Sequence, residues 1–333
     1  MTLPPNVYDA EAIPEAARAE IDRMLQSGDL FRYTAPEDAP VTLLEQEFAD
    51  HLGSKYALAV SSCSAALFLS LKALGLPRDA RVLIPGFTFA AVPSSVVHAD
   101  CIPVLCEVGE NYRIDIDDFT AKLDNVQAVI ISHMRGHTSD MDAIMDLCTA
   151  RDIPVIEDAA HSLGTTWAGR NIGTIGQVGC FSFQSYKLVN AGEGGIMVTD
   201  DADLIARAVI MSGAYEHNWS KHIRGGDNAL RAAFATWQNR LPLYNLRAFA
   251  AAAAERGVKV QVFGLSTDNA RAFWNWQFLP EAPGDLPRTR AMLMRACDAR
   301  LPARLTRPEL DLIADALVQA ANDVMGEALA YGT

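Results

Sequence analysis

From residue 55 to residue 213 short apolar runs alternate with stretches whose apolar residues recur every three or four positions, and few folds accept that alternation. YALAV, RVLIP, CIPVLCEV, AVIISH and IPVIED read as strands, with VGCFSF and GGIMVTD following. Between them SAALFLSLKALG, AAVPSSVVHA, DIDDFTAKL (capped by Asp115), DMDAIMDLCTA and, last, DADLIARAVIMSG read as helices. Strands apolar along their whole length belong to a sheet covered on both faces, and intervening helices make that sheet mostly parallel. Ligands of such sheets bind beyond the carboxyl ends of the strands, which makes the strand ends the residues to inspect.

The flanks complete an α/β plan. Helices are expected at about 14–26 and about 42–52. After residue 214 the stretch up to 245 shows no clean period. LRAFAAAAAERG then reads as helix, VKVQVFG as strand, NARAFWNWQFLP as a further strand and RPELDLIADALVQAANDVM as helix. The 333 residues exceed the usual single-domain size, so a large domain over 1–245 and a small α+β domain over 246–333 are expected. The net charge of −13 argues against a nucleic-acid partner, although a local cationic pocket can still take an anion. No apolar run reaches the length of a membrane span. The acidic, Pro-rich start lacks the regions of a signal peptide, which reads as cytoplasmic. The cysteines at 63, 101, 106, 148, 180 and 297 form no CxxC pair and read as buried reduced thiols, not as a metal site.

Four strand ends carry polar or aromatic residues suited to one ligand. Ser62, Cys63 and Ser64 follow YALAV at a helix start, where unpaired N–H groups favour a phosphate; N-capping explains the serines equally. Phe89, after RVLIP, suits a flat ring or an ordinary core. Glu157 and Asp158 end an apolar strand. A buried carboxylate needs a partner, and a protonated pyridine nitrogen is one; a capping role is the alternative. His161 follows three residues on, over a ring or as a satisfied core histidine. Ser182 and Lys187 follow GCFSF, and an amine desolvated there forms an imine with a carbonyl, where a solvated lysine would be the plain reading. Together a phosphate cradle, a ring cover, a carboxylate and an amine describe a site for pyridoxal 5'-phosphate.

The runs LEQEFADHLGSKYALAVSSCSAALFLSLKALGL, VLIPGFTFAA, DMDAIMDLC, VIEDAAHSLGTTWAGRNIGTIGQVGCFSFQSYK and GEGGIMVTDD resemble the DegT/StrS family of sugar aminotransferases. These are fold-type-I enzymes dependent on pyridoxal 5'-phosphate (PLP). The resemblance covers about residues 43–213, with a weaker match at DARLPARLTRPEL. It implies that Lys187 binds the cofactor as a Schiff base, that Asp158 pairs with the ring nitrogen and that His161 lies near the ring. Ser182, Ser64 and the amide of Cys63 would hold the phosphate, Phe89 would stack on the ring, and Asn245 would reach the phosphate of a neighbouring subunit in a homodimer. The implied activity moves an amino group from glutamate or glutamine to a keto acceptor, a keto-sugar nucleotide in this family.

Three features depart from the family pattern. Cys63 stands where the family has glycine, so phosphate contact there depends on its backbone angle. Arg135 stands where an aromatic is frequent, and either binds a substrate carboxylate or phosphate or forms a surface salt bridge. Several tens of small-domain residues are missing after Asn245, which leaves Trp274 and Trp276 as a replacement cover or as exposed apolar surface. The alternative to an active aminotransferase is therefore a cofactor-binding member without turnover, in a regulatory or binding role. A family dehydratase would have histidine in place of Lys187. A nicotinamide oxidoreductase would need a Gly-rich fingerprint after the first strand, and SSCSAAL is not one.

Overall fold

The computed structural model of the chain describes residues 12–33, 38–214, 218–238, 260–262, 297–299 and 305–330. It divides into two compact units, Met1–Ser212 with Lys221–Ala233, and Gly213–Ser220 with Phe234–Thr333. The expected domain boundary at 245 lies outside the described residues, as do the expected helix at LRAFAAAAAERG and strand at NARAFWNWQFLP.

The first unit is built on a seven-stranded sheet. Its strands are β1 (Tyr56–Val60), β2 (Arg81–Pro85), β3 (Ile102–Cys106), β4 (Ala128–Ser132), β5 (Val155–Asp158), β8 (Val178–Ser182) and β9 (Gly195–Thr199). Two short strands, β6 (Thr166–Trp167) and β7 (Arg170–Asn171), form a separate hairpin that the sequence reading did not include. Its turn places Ala168 and Gly169 at φ of 49° and 81°, the left-handed pair that two-residue hairpin loops require.

The sheet order is β1-β9-β8-β5-β4-β2-β3. β3, β2, β4, β5 and β8 pair in parallel, whereas β9 is antiparallel to both β8 and β1. The fold is thus α/β with a mostly parallel sheet, as expected. The antiparallel pair has a plain cause: no helix lies in 183–194 to carry the chain across, so β9 returns directly beside β8. Burial follows the order. β4 and β9 are buried along their whole length, while β1 and β3, at the edges, are partly exposed.

Helices cover both faces. α2 (Pro40–Leu52), α5 (Ile116–Leu123) and α6 (Met141–Thr149) supply Phe48, Phe119, Leu123, Met141 and Ile144 to one core layer, which also takes Val129, Ile131, Val155 and Phe181 from the strands. α3 (Cys63–Ala73) packs against β8 and β9 on the other face, between α4 (Ala91–His98) and α7 (Ala202–Met211). Because strand side chains alternate, Val155 and Glu157 face the α2/α5/α6 layer while Ile156 and Asp158 face α3. Asp115 caps α5 as expected, accepting from the N–H groups of Asp117 and Asp118 at 3.0 Å each. The N-terminal helix α1 (Glu15–Ser27) has no buried residue.

One helix was missed. α8 (Asn228–Trp237) lies in the stretch that showed no clean period. Its buried residues Leu230, Ala233 and Phe234 do follow helical spacing, but Trp219 and Trp237 nearby obscure it. In the second unit Trp219 stacks on Phe234 with ring centroids 4.9 Å apart and donates its indole N–H to Gln238. β10 (Val260–Val262), within the expected VKVQVFG strand, pairs antiparallel with β11 (Cys297–Ala299). The expected C-terminal helix spans Arg307–Ala330. It opens on a Thr306/Glu309 box in which the Thr306 amide and hydroxyl both donate to Glu309 at 2.7 Å.

Candidate active site

At the carboxyl edge of the sheet a cavity of about 480 Å³ opens between the ends of β1, β4, β5 and β8. Its lining includes Cys63, Ser64, Phe89, Arg135, Asp158, His161, Ser182 and Lys187, eight of the nine residues expected to bind cofactor or substrate. Asn245 lies outside the described residues. Met134, Gln184, Tyr186 and Glu193 also line it, and the sequence reading had passed over them.

Local folding explains each position. Ser62 is extended and caps α3, its hydroxyl accepting from the Ala65 N–H at 3.1 Å. That leaves the amides of Cys63 and Ser64, in the first turn, without intrahelical partners and at the positive end of the helix dipole. Ser62 thus takes the capping role, and Ser64 is left for a ligand. Cys63 is the first residue of α3 and not among the positive-φ residues, so the position tolerates a side chain. Gly195, opening β9, presses on this turn. A Cβ there would lie 2.6 Å from the Ser62 carbonyl oxygen and nearer still to the Cys63 nitrogen.

Asp158, 7% exposed, ends β5 on the α3 face. Its Oδ2 accepts from the Ser132 hydroxyl at 2.7 Å. Its Oδ1 accepts from the Ala160 N–H at 3.2 Å and from the Cys63 thiol at 3.8 Å. Ser132 had not been singled out, although it is the polar last residue of an apolar strand and shares Asp158's face. Glu157 does something else. Wholly buried on the opposite face, it accepts from the N–H groups of Gly173, Ile175 and Gly176 at 2.9, 2.7 and 2.6 Å and lies 3.1 Å from His133 Nε2. It anchors the 172–176 loop and has no part in the cavity.

Lys187 sits in a turn, its N–H bonded to the Gln184 carbonyl at 2.8 Å, and its Nζ lies 2.7 Å from His161 Nε2. Burial holds the Lys187 amine below its ordinary pKa and the Arg135 guanidinium adds to this, against opposition from Asp158. Burial, then Lys187 and Arg135, likewise hold His161 below the usual imidazole value, against Asp158. Burial, reinforced by Asp158, pushes the Cys63 thiol well up, so it stays protonated. Ser182 ends β8 on the same face, its hydroxyl accepting from the Gln184 N–H at 3.4 Å. Arg135 is exposed at the cavity, and its guanidinium has no ion-pair partner among the described residues. Phe89 is 64% exposed, its ring at the cavity and not in the core.

The donor set fits a phosphorylated aromatic aldehyde. The first-turn amides of α3, the hydroxyls of Ser64 and Ser182, the Asp158 carboxylate, the Phe89 ring and the desolvated Lys187 amine belong to residues that line one cavity. Cys63, Cys101, Cys106, Cys148 and Cys180 are free and buried.

The chain matches a model of the DegT/DnrJ/EryC1/StrS aminotransferase family over residues 12–232. It is 35% identical over 224 residues to the spore coat polysaccharide biosynthesis protein SpsC of Bacillus subtilis, covering 66% of this chain and 56% of the relative. It is 36% identical over 163 residues to the GDP-perosamine synthase of Vibrio cholerae, covering 48% and 44% of the two chains. The chain spans about half the length of the curated relatives it matches. An aminotransferase from Psychrobacter cryohalolentis has a similar fold, with a TM-score of 0.60 at 22% identity over 96% of this chain and 98% of that one.

Proposed function

Because the chain belongs to the DegT/DnrJ/EryC1/StrS aminotransferase family, we propose that it holds pyridoxal 5'-phosphate in this cavity and transfers an amino group from glutamate or glutamine to a keto acceptor, a keto-sugar nucleotide. The observation that carries the reading is a desolvated lysine and a buried, thrice-bonded aspartate lining one cavity beside an unfilled helix start.

Lys187 binds the cofactor covalently, and the amides of Cys63 and Ser64 with the hydroxyls of Ser64 and Ser182 take its phosphate. Bound there, the cofactor supplies a carbonyl that condenses with amines and a ring that draws electron density from the donor's α-carbon. Asp158 keeps a proton on the ring nitrogen. Ser132, Cys63 and Ala160 fix that carboxylate in place by donating to both its oxygens. With its amine free, Lys187 would take the proton from the donor α-carbon as general base and return it as an ammonium. Phe89 covers the ring face. Arg135, exposed at the cavity, takes a carboxylate or phosphate of the substrate.

We extend the reading to a homodimer whose sites are shared, Asn245 reaching its neighbour's phosphate. Beside the mouth Tyr186 and Leu188 are 66% and 77% exposed, an apolar rim suited to a covering subunit. A cytoplasmic setting accords with five buried free thiols. The short match to the relatives keeps one other reading open, a cofactor-holding protein without turnover.

The test is spectral. Protein saturated with PLP should gain a visible absorption band, borohydride should fix the label on Lys187, and Lys187→Ala should do neither. Glutamate or glutamine should then bleach the band. A band that no amino donor bleaches selects the reading without turnover, and a wild-type protein that stays colourless ends both.

A further inference from the structure

Both ring nitrogens of His161 are committed, and the two commitments together decide where its proton sits. Nδ1 faces the backbone N–H of Arg135 at 3.4 Å, and Nε2 lies 2.7 Å from Lys187 Nζ. A backbone N–H only donates, so Nδ1 must offer its lone pair. A neutral imidazole then carries its single proton on Nε2, the nitrogen turned to the lysine. An ammonium has three donors and no acceptor, so at this distance it would set N–H against N–H. A free amine has a lone pair and accepts.

We infer that the Arg135 backbone amide fixes His161 as the Nε2–H tautomer, and that this tautomer holds Lys187 as a free amine, accepting from the ring, before any carbonyl arrives. His161 is thereby a positioning residue acting through Lys187. Deepening the reading of Lys187 as the carbonyl-condensing residue, the inference depends on it only for the purpose of the free amine.

The backbone at Arg135 supports this. It is left-handed, φ 56° and ψ 22°, inside the turn Met134–Gly136, a conformation unfavourable for a non-glycine residue. Such strain persists where the surroundings over-determine it. On one side the residue gives its amide to His161, and on the other Gly136 N–H closes the turn on the His133 carbonyl at 3.0 Å. The charges facing Lys187 agree. Burial and Arg135 oppose the ammonium while Asp158 favours it, and the net effect lowers the Lys187 pKa. Burial first, and then the Arg135 guanidinium, likewise oppose a second proton on His161. Glu193 and Tyr186 complete the titratable lining.

Two measurements on the full chain, stripped of bound carbonyl compounds, test this. Long-range proton–nitrogen NMR at neutral pH, with His161 assigned by its loss in His161→Gln, should show a protonated Nε2 and an unprotonated Nδ1. Competitive acetylation read by mass spectrometry should give Lys187 a half-reactive pH below that of exposed Lys55. In His161→Gln, whose amide can rotate its oxygen to the amine, that midpoint should rise by about one unit, a roughly tenfold loss of reactivity at neutral pH. Arg135→Gly keeps the amide and the left-handed turn, and should keep the tautomer. A proton on Nδ1, a doubly protonated ring, or an unmoved midpoint in His161→Gln overturns the inference. A Lys187 that titrates as inferred yet is never trapped with PLP would keep this inference and end the functional reading; trapping at Lys187 with a proton on Nδ1 would do the reverse.

Discussion

Glu157 and Asp158 are neighbours with the same charge and opposite employment. A strand turns successive side chains to opposite faces, so one carboxylate faces α3 and the cavity while the other faces the core layer and its loop. The opposite facing of these two neighbours was legible from strand parity, whereas the register that puts Ser132 and Ser182 on Asp158's face came from the pairing of the strands. What the sequence could not supply was the 172–176 loop folding back onto Glu157, a contact between residues with no local signature. Glu157→Gln is expected to replace one accepting oxygen by a donor opposite backbone N–H groups. It should destabilise the chain by about 1–3 kcal/mol in urea unfolding, while PLP-treated protein retains its band. A variant as stable as wild type would show that the three amides do not need a carboxylate.

At the scale of elements, the strand and helix pattern was readable because each unit repeats one apolar period. The start of α3 was readable as a polar break after an apolar strand. The division of labour within it, with Ser62 capping and Ser64 left over, needed coordinates, because both serines satisfy the same rule. The partner of that start was hidden too. Gly195 reads as turn glycine in AGEGG, yet it opens a buried strand, and its missing side chain is what lets β9 lie against Ser62 and Cys63. Gly195→Ala must push backbone, not a pliable side chain. We expect a loss of about 1–3 kcal/mol in urea unfolding, together with several-fold weaker PLP binding by fluorescence titration. Normal binding in a destabilised variant would show that the cradle does not depend on this contact.

At the scale of the whole first unit, a buried polar cluster ties distant parts of the chain together. Glu45 on α2 holds Arg32 and accepts from the Ala59 N–H at 2.7 Å. His222, from the returning segment, sits 3.7 Å from Glu45 and 3.3 Å from the Tyr33 hydroxyl. None of this was legible, because its members stand far apart in sequence and each alone passes for a surface residue. Burial, with Arg32, Arg224 and Lys221 nearby, lowers His222 to about 3, so it stays neutral in the fold. Above about pH 6.5 folded and unfolded forms alike leave it unprotonated. As pH falls from there toward 3 only the unfolded chain takes the proton, and this site alone removes on the order of 1.4 kcal/mol per pH unit. The urea midpoint of wild type should therefore drop more steeply between pH 6 and 4 than that of His222→Gln. Equal slopes would refute the assignment. The order of the sheet also sets a timetable. Among the described strands β1 finds its hydrogen-bonding neighbour only in β9, which is made last of the seven. A chain growing from the ribosome must therefore carry β1 and the helix start beyond it unsupported until residue 199 has emerged, which makes a premature stop before that point a maker of aggregates and not of half-enzymes.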